Sequence, residues 1–101
     1  MECHIEIVQN VLLARLSGEF VFSDHNKFKP ILDAGQDEAI KSVRIDLANV
    51  GFIDSAGLGM LLLLRDACDK HGKRLTLVGP TGQVKKVFDV SKFQHLFTIE
   101  A

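Results

Sequence analysis

Apolar and polar residues alternate twice near the start of the chain. Ile5 and Ile7 are flanked by polar neighbours, Gln9-Asn10 offers a turn, and Val11 to Leu16 forms a second run closed by Gly18. This pattern predicts two short strands joined as a hairpin. A weaker helical stretch follows, with Ser23 or Asp24 as its N-cap and Phe28, Ile31 and Leu32 at helical spacing. Pro30 removes a backbone donor there, so the helix should kink or stop early. Gly35 to Ser42 reads as polar connection. Val43 to Leu47 alternates like a strand with one buried face, and extended chain appears again up to Ile53. A long helical run then reaches Lys70-His71, with Gly72 as its stop. Leu75 to Val78 is the next strand, and Thr81 caps a short helix carrying Val84, Val87 and Phe88 on one face. The segment from Phe93 to Ile99 supplies apolar residues to finish the core.

Strands separated by helices of this length need crossover connections, which implies an α/β fold with helices packed on a partly parallel sheet. The opening hairpin makes that sheet mixed, with four to five strands. The 101 residues suffice for one domain, 1–101, but not for two. Twelve Lys and Arg against thirteen Asp and Glu leave no basic excess to draw nucleic acid or anionic lipid. Cys3 and Cys68 are far apart and outside any Cys/His cluster, as befits thiols of a reducing compartment. The beginning of the chain lacks the basic and apolar regions of a secretory signal. The apolar run Leu58 to Leu64 falls far short of the roughly 20 residues that cross a bilayer. The expected setting is the cytoplasm, with no membrane insertion, metal or cofactor.

The segment with chemical content is Phe52-Ile53-Asp54-Ser55-Ala56-Gly57-Leu58-Gly59-Met60. A strand ends near Ile53 and a helix starts around Ala56, which puts Ser55 at the N-cap. A helix start favours negative charge through its free N–H groups and dipole, so a phosphate on Ser55 would be tolerated there. Gly57 and Gly59 each cost up to about 1 kcal/mol relative to Ala in a helix, a cost that close approach of another backbone or a partner would explain. At 100° per residue, Gly57, Met60, Leu61, Leu64, Ala67 and Cys68 share a core-facing side. Ser55, Leu58, Leu62, Asp66 and Asp69 gather opposite, so Leu58 and Leu62 are expected to be partly exposed. A serine beside an apolar stripe forms a docking surface with a charge switch at its edge.

Asp54-Ser55-Ala56-Gly57-Leu58-Gly59, behind the strand Arg44-Ile45-Asp46-Leu47, resembles the signature of STAS domains, in particular of bacterial anti-sigma factor antagonists. Leu16-Ser17-Gly18-Glu19-Phe20, Leu75 to Gly79, and Val87-Phe88 through Ile99 resemble further parts of the family in the same order. The resemblance implies the STAS fold and a role in partner switching and transcription regulation. Ser55 would be phosphorylated by a partner that is both serine kinase and anti-sigma factor, with a Bergerat-type ATP fold. A PP2C-like phosphatase would reverse the step. Asp54, Ser55, Ala56, Gly57, Leu58, Gly59 and Leu62 would form the partner-binding segment. After Gly18-Glu19-Phe20 many members carry an acidic residue, where this chain has Val21-Phe22.

Catalysis is not expected. Ser55 lies between strand and helix as a nucleophile elbow would, but Ile53 stands where Gly-x-Ser-x-Gly needs its first glycine. His4, His25, His71 and His95 are scattered and complete no triad. No Gly-x4-Gly-Lys loop is present to hold a nucleotide. The alternative within the resemblance is a STAS subunit or regulatory domain of a transport complex or signalling scaffold, without a phospho-switch.

Overall fold

Val8 and Val11 face each other across the two-residue turn Gln9-Asn10, where Gln9 takes a left-handed φ of 57°. The turn folds strand β1 (Glu2–Val8) onto β2 (Val11–Phe20) as the expected antiparallel hairpin. Beyond it, β3 (Ser42–Ile53), β4 (Arg74–Val78) and β5 (Thr98–Glu100) add in parallel. The structure, a computed structural model, describes residues 1–101. Its sheet is mixed, in the order β1-β2-β3-β4-β5. The crossovers run through α1 (His25–Ala34), α2 (Ser55–Lys70) and α3 (Gly82–Val90).

The core lies between one face of the sheet and these helices. Across the strands, Ala14, Ile45 and Leu77 are in register and fully buried, as is Val43 beside Leu12. They meet Phe28 and Ile31 of α1, Met60, Leu61, Leu64 and Cys68 of α2, and Val84 and Phe88 of α3. Burial of each Val, Leu, Ile, Phe or Met side chain among them contributes about 1.5–3 kcal/mol. Phe93 and Phe97 close the core as expected: Phe88 to Phe93 and Phe93 to Phe97 stack with ring centroids 5.0 and 4.9 Å apart. Burial also pushes the Cys68 thiol up to about 11, which keeps it protonated at neutral pH. The other face of the sheet is polar, and there Arg44 grips Glu100 through two hydrogen bonds of 3.2 and 2.7 Å.

Two expectations needed revision. α1 neither stops nor is shortened at Pro30 but continues to Ala34, because buried Phe28 on one side and Ile31 and Ala34 on the other hold it to the core. β3 bears out the strand end expected near Ile53, running unbroken from Ser42 and joining that end to the alternating segment Val43 to Leu47. Its pairing with β2 continues to Ile53 through two register shifts, between Arg15 and Ser17 and between Gly18 and Glu19. Asp24 does occupy the N-cap position of α1, but its carboxylate does not cap that helix. It turns back, accepting the Val21 N–H at 2.9 Å and the Met1 amino group at 3.1 Å.

Asp24 is only 4% exposed. Burial alone would raise its pKa, but the Val21 N–H and the Met1 ammonium outweigh that and hold it below the usual carboxylate range. Asp24→Asn should therefore cost about 1–3 kcal/mol at neutral pH. A folded pKa below the unfolded value of about 3.9 stabilises fully above that value and is lost as pH falls through the folded one. Urea-unfolding curves of wild type and variant should thus differ at pH 7 and converge on acidification.

Candidate functional site

β3 and β2 end side by side, with Ile53 paired to Phe20, and the chain enters α2 directly from that edge. Asp54 makes the join. Its backbone is extended (φ −104°, ψ −178°), and its Oδ1 accepts the Gly57 N–H at 2.8 Å. Its Oδ2 accepts the Phe22 N–H at 3.3 Å, and its own N–H donates to the Phe20 carbonyl at 3.3 Å. One carboxylate therefore caps α2 and ties it to the 3-10 turn Phe22–Asp24 that follows β2.

This corrects the expectation for Ser55. Asp54 is the N-cap and Ser55 is the first helical residue. A carboxylate suits the positive end of the helix dipole better than a hydroxyl does, and from one residue earlier it also reaches Phe22. Ser55 is consequently exposed, with its side chain free of the capping task. The N–H groups of Ser55 and Ala56 have no acceptor within the helix.

The two glycines differ. A Cβ on Gly57 would lie 2.6 Å from the Phe20 carbonyl oxygen and 2.7 Å from Ile53 Cγ1, so only glycine lets α2 start this close to the strand ends. Gly57 was expected in the contact surface, but it is buried and its part is to seat the helix. A Cβ on Gly59 would meet nothing within 4 Å. No packing inside the chain requires glycine there.

The rest of the expected segment is brought together on one end of α2. Ala56, Leu58, Gly59 and Leu62 are half-buried, and Leu58 and Leu62 rest against the core rather than standing free. The more exposed apolar groups are ones the sequence reading did not place in the site. Leu63 is 55% exposed and follows Gly59 by one helical turn. Phe22 is 74% exposed beside the Asp54 carboxylate, at the departure from the acidic pattern.

Gln83 was missed altogether. From α3 its Oε1 accepts the Ile53 N–H at 3.0 Å, and its Nε2 donates to the Ile53 carbonyl at 3.1 Å. This paired amide fixes the backbone immediately before Asp54. No local pattern announces a contact between residues 30 apart. No three His, Cys, Asp or Glu side chains gather closely enough to hold a metal ion, and no helix is long and apolar enough to cross a membrane.

Gly57→Ala should overpack the strand ends and destabilise by about 1–3 kcal/mol. Gly59→Ala should leave stability unchanged or raise it by up to about 1 kcal/mol. Gln83→Leu should cost about 1–3 kcal/mol through the unpaired Ile53 groups. Chemical denaturation of the three variants checks this order; equal effects of both glycine substitutions would contradict it.

The chain is similar to known proteins in sequence and in fold. The STAS domain family model matches residues 2–101. A STAS-domain containing protein of Pseudomonas aeruginosa is 37% identical over 90 residues, covering 87% of this chain and 86% of that protein. The intermembrane phospholipid transport system binding protein MlaB of Escherichia coli is 35% identical over 82 residues, covering 80% and 77%. Among solved structures, the anti-sigma factor antagonist SpoIIAA superposes in its unphosphorylated form with a TM-score of 0.78 at 22% identity, covering 99% of this chain and 87% of that one. The phosphorylated form of SpoIIAA from Bacillus gives 0.79 at 20% identity, covering 99% and 92%. The chain belongs to the STAS domain family and has the fold of the anti-sigma factor antagonists.

Proposed function

We propose that this chain is a cytoplasmic anti-sigma factor antagonist whose Ser55 is reversibly phosphorylated. Its partner is an anti-sigma factor and serine kinase with a Bergerat-type ATP fold, and a PP2C-like phosphatase resets it. The observation that carries the reading is the transfer of capping from Ser55 to Asp54, which leaves an exposed hydroxyl on the first residue of α2. A kinase reaches that oxygen without unfolding the helix start.

Asp54, Ser55, Ala56, Leu58, Gly59 and Leu62 provide the docking surface, with Gly57 setting the helix in place. Exposed Phe22 and Leu63 extend its apolar area, and the open space at Gly59 admits a partner's backbone. A phosphate on Ser55 brings roughly −1.5 to −2 charges next to the Asp54 carboxylate and this apolar surface. Like-charge repulsion and desolvation then oppose contact with a partner. About 3 kcal/mol suffices to weaken binding more than a hundredfold. The near-equal fits to both phosphorylation states of SpoIIAA agree with a switch that leaves the fold alone.

The similarity to MlaB favours a second reading, a subunit of a transport complex that docks through the same surface with Ser55 unmodified. Pull-downs from the native cytoplasm with wild type, Ser55→Ala and Ser55→Asp separate the two. The switch predicts an anti-sigma or kinase-like protein held by one Ser55 variant and lost at least tenfold with the other. Equal recovery of the same proteins by all three would overturn the switch and leave the subunit reading. Leu62→Glu should abolish recovery under either reading.

A further inference from the structure

The sheet ends on one side in β5, with three residues, and on the other in β1, with seven. β1 is a long edge. It contains no Pro, Lys or Gly, and its pairing with β2 has no bulge, so Glu2 and Glu6 are the charges left to blunt it. Ile5, Ile7 and Val8 are 36%, 58% and 61% exposed.

Its unpaired backbone groups can be identified. Val8 and Val11 flank a two-residue turn and so form a hydrogen-bonded pair. Pairs of that kind recur at every second residue, so Glu2, His4, Glu6 and Val8 direct their backbone groups at β2. Cys3, Ile5 and Ile7 then direct theirs outward. We propose that this edge pairs with β1 of a second copy of the chain, antiparallel, about a two-fold axis through Ile5.

In that register Ile5 faces Ile5 and Cys3 faces Ile7 of the other copy, and all of these residues have outward backbone groups. His4 faces Glu6 of the other copy, twice by symmetry, and its Nε2 already lies 3.4 Å from Glu6 Oε1 of its own strand, so each carboxylate meets an imidazole rather than a like charge. Neighbouring registers lose this. Centring on His4 sets Glu2 against Glu6, and centring on Glu6 sets two Glu6 side chains together. Both still pair outward backbone groups, Cys3 with Ile5 or Ile5 with Ile7, so the facing side chains separate the registers, whereas an axis between two residues would call on groups already bonded to β2. The Ile5 register further continues the buried row Ala14, Ile45 and Leu77, with which Ile5 is aligned, across the axis. No residue of the Ser55 surface takes part.

A single strand pair lies at the small end of specific interfaces, so the dimer is a concentration-dependent one. Sedimentation velocity of the full chain should show the sedimentation coefficient rising toward that of a dimer as concentration approaches about 1 mM. Ile5→Lys should weaken association at least tenfold. His4 and Glu6 side chains are 67% and 45% exposed, so exchanging their charge leaves folding intact, which circular dichroism confirms. His4→Glu alone and Glu6→Lys alone should each lose the dimer, and an equimolar mixture of the two should recover it. A wild type that stays monomeric at the highest concentration, a dimer indifferent to these substitutions, or a mixture that fails to recover it would overturn the proposal.

Discussion

The carboxylate of Asp54 holds the working end of this molecule together. With one oxygen on the Gly57 N–H and the other on the Phe22 N–H, it joins the helix start to the turn that leaves the neighbouring strand. The requirement on Gly57 follows from the same closeness, because the helix it caps begins against the Phe20 carbonyl. So does the exposure of Ser55. A helix already capped by its predecessor has no use for the serine hydroxyl, which is left outside. The negative charge at the helix end is thus built in before any modification, and a phosphate would be added to a site that already carries one anion.

That clamp depends on the sheet beneath it. The core face of β3, from Val43 to Ile53, sits among β2, α2 and α3, and Gln83 secures its last residue by a paired amide. The aromatic stack of Phe88, Phe93 and Phe97 anchors the helix that carries Gln83. Core packing therefore acts on the site through position alone: it decides where the backbone of Ile53 and Asp54 lies. The half-buried Leu58 and Leu62 show the same economy of placement, since each contributes one side to the core and the other to the surface.

The hairpin, the helices and the mixed sheet of an α/β fold were legible because period-two and helical patterns are local. The limits of the sequence reading were physical too. Asp54 and Ser55 are both good capping residues in adjacent positions, and only the long-range partner Phe22 decides between them. The far half of β3 breaks strict alternation where it gains a residue on β2 at each register shift, so the alternating pattern stops at Leu47 although the strand end near Ile53 was legible. Pro30 is a helix breaker by rule, yet burial on both sides of it overrides the rule. Phe22 stood out as a departure in the sequence, but its place beside Asp54 came only from folding. Gln83 gave no local sign at all.

The central claim is that a charge on Ser55 changes binding without changing the fold. The most direct measurement takes the chain phosphorylated at Ser55 and the unmodified chain. It determines, on the same samples, the free energy of unfolding and the affinity for the captured partner. The account predicts an affinity change of at least about a hundredfold with stability altered by less than about 1 kcal/mol. A loss of stability as large as the loss of binding, or an affinity that does not move, would contradict it.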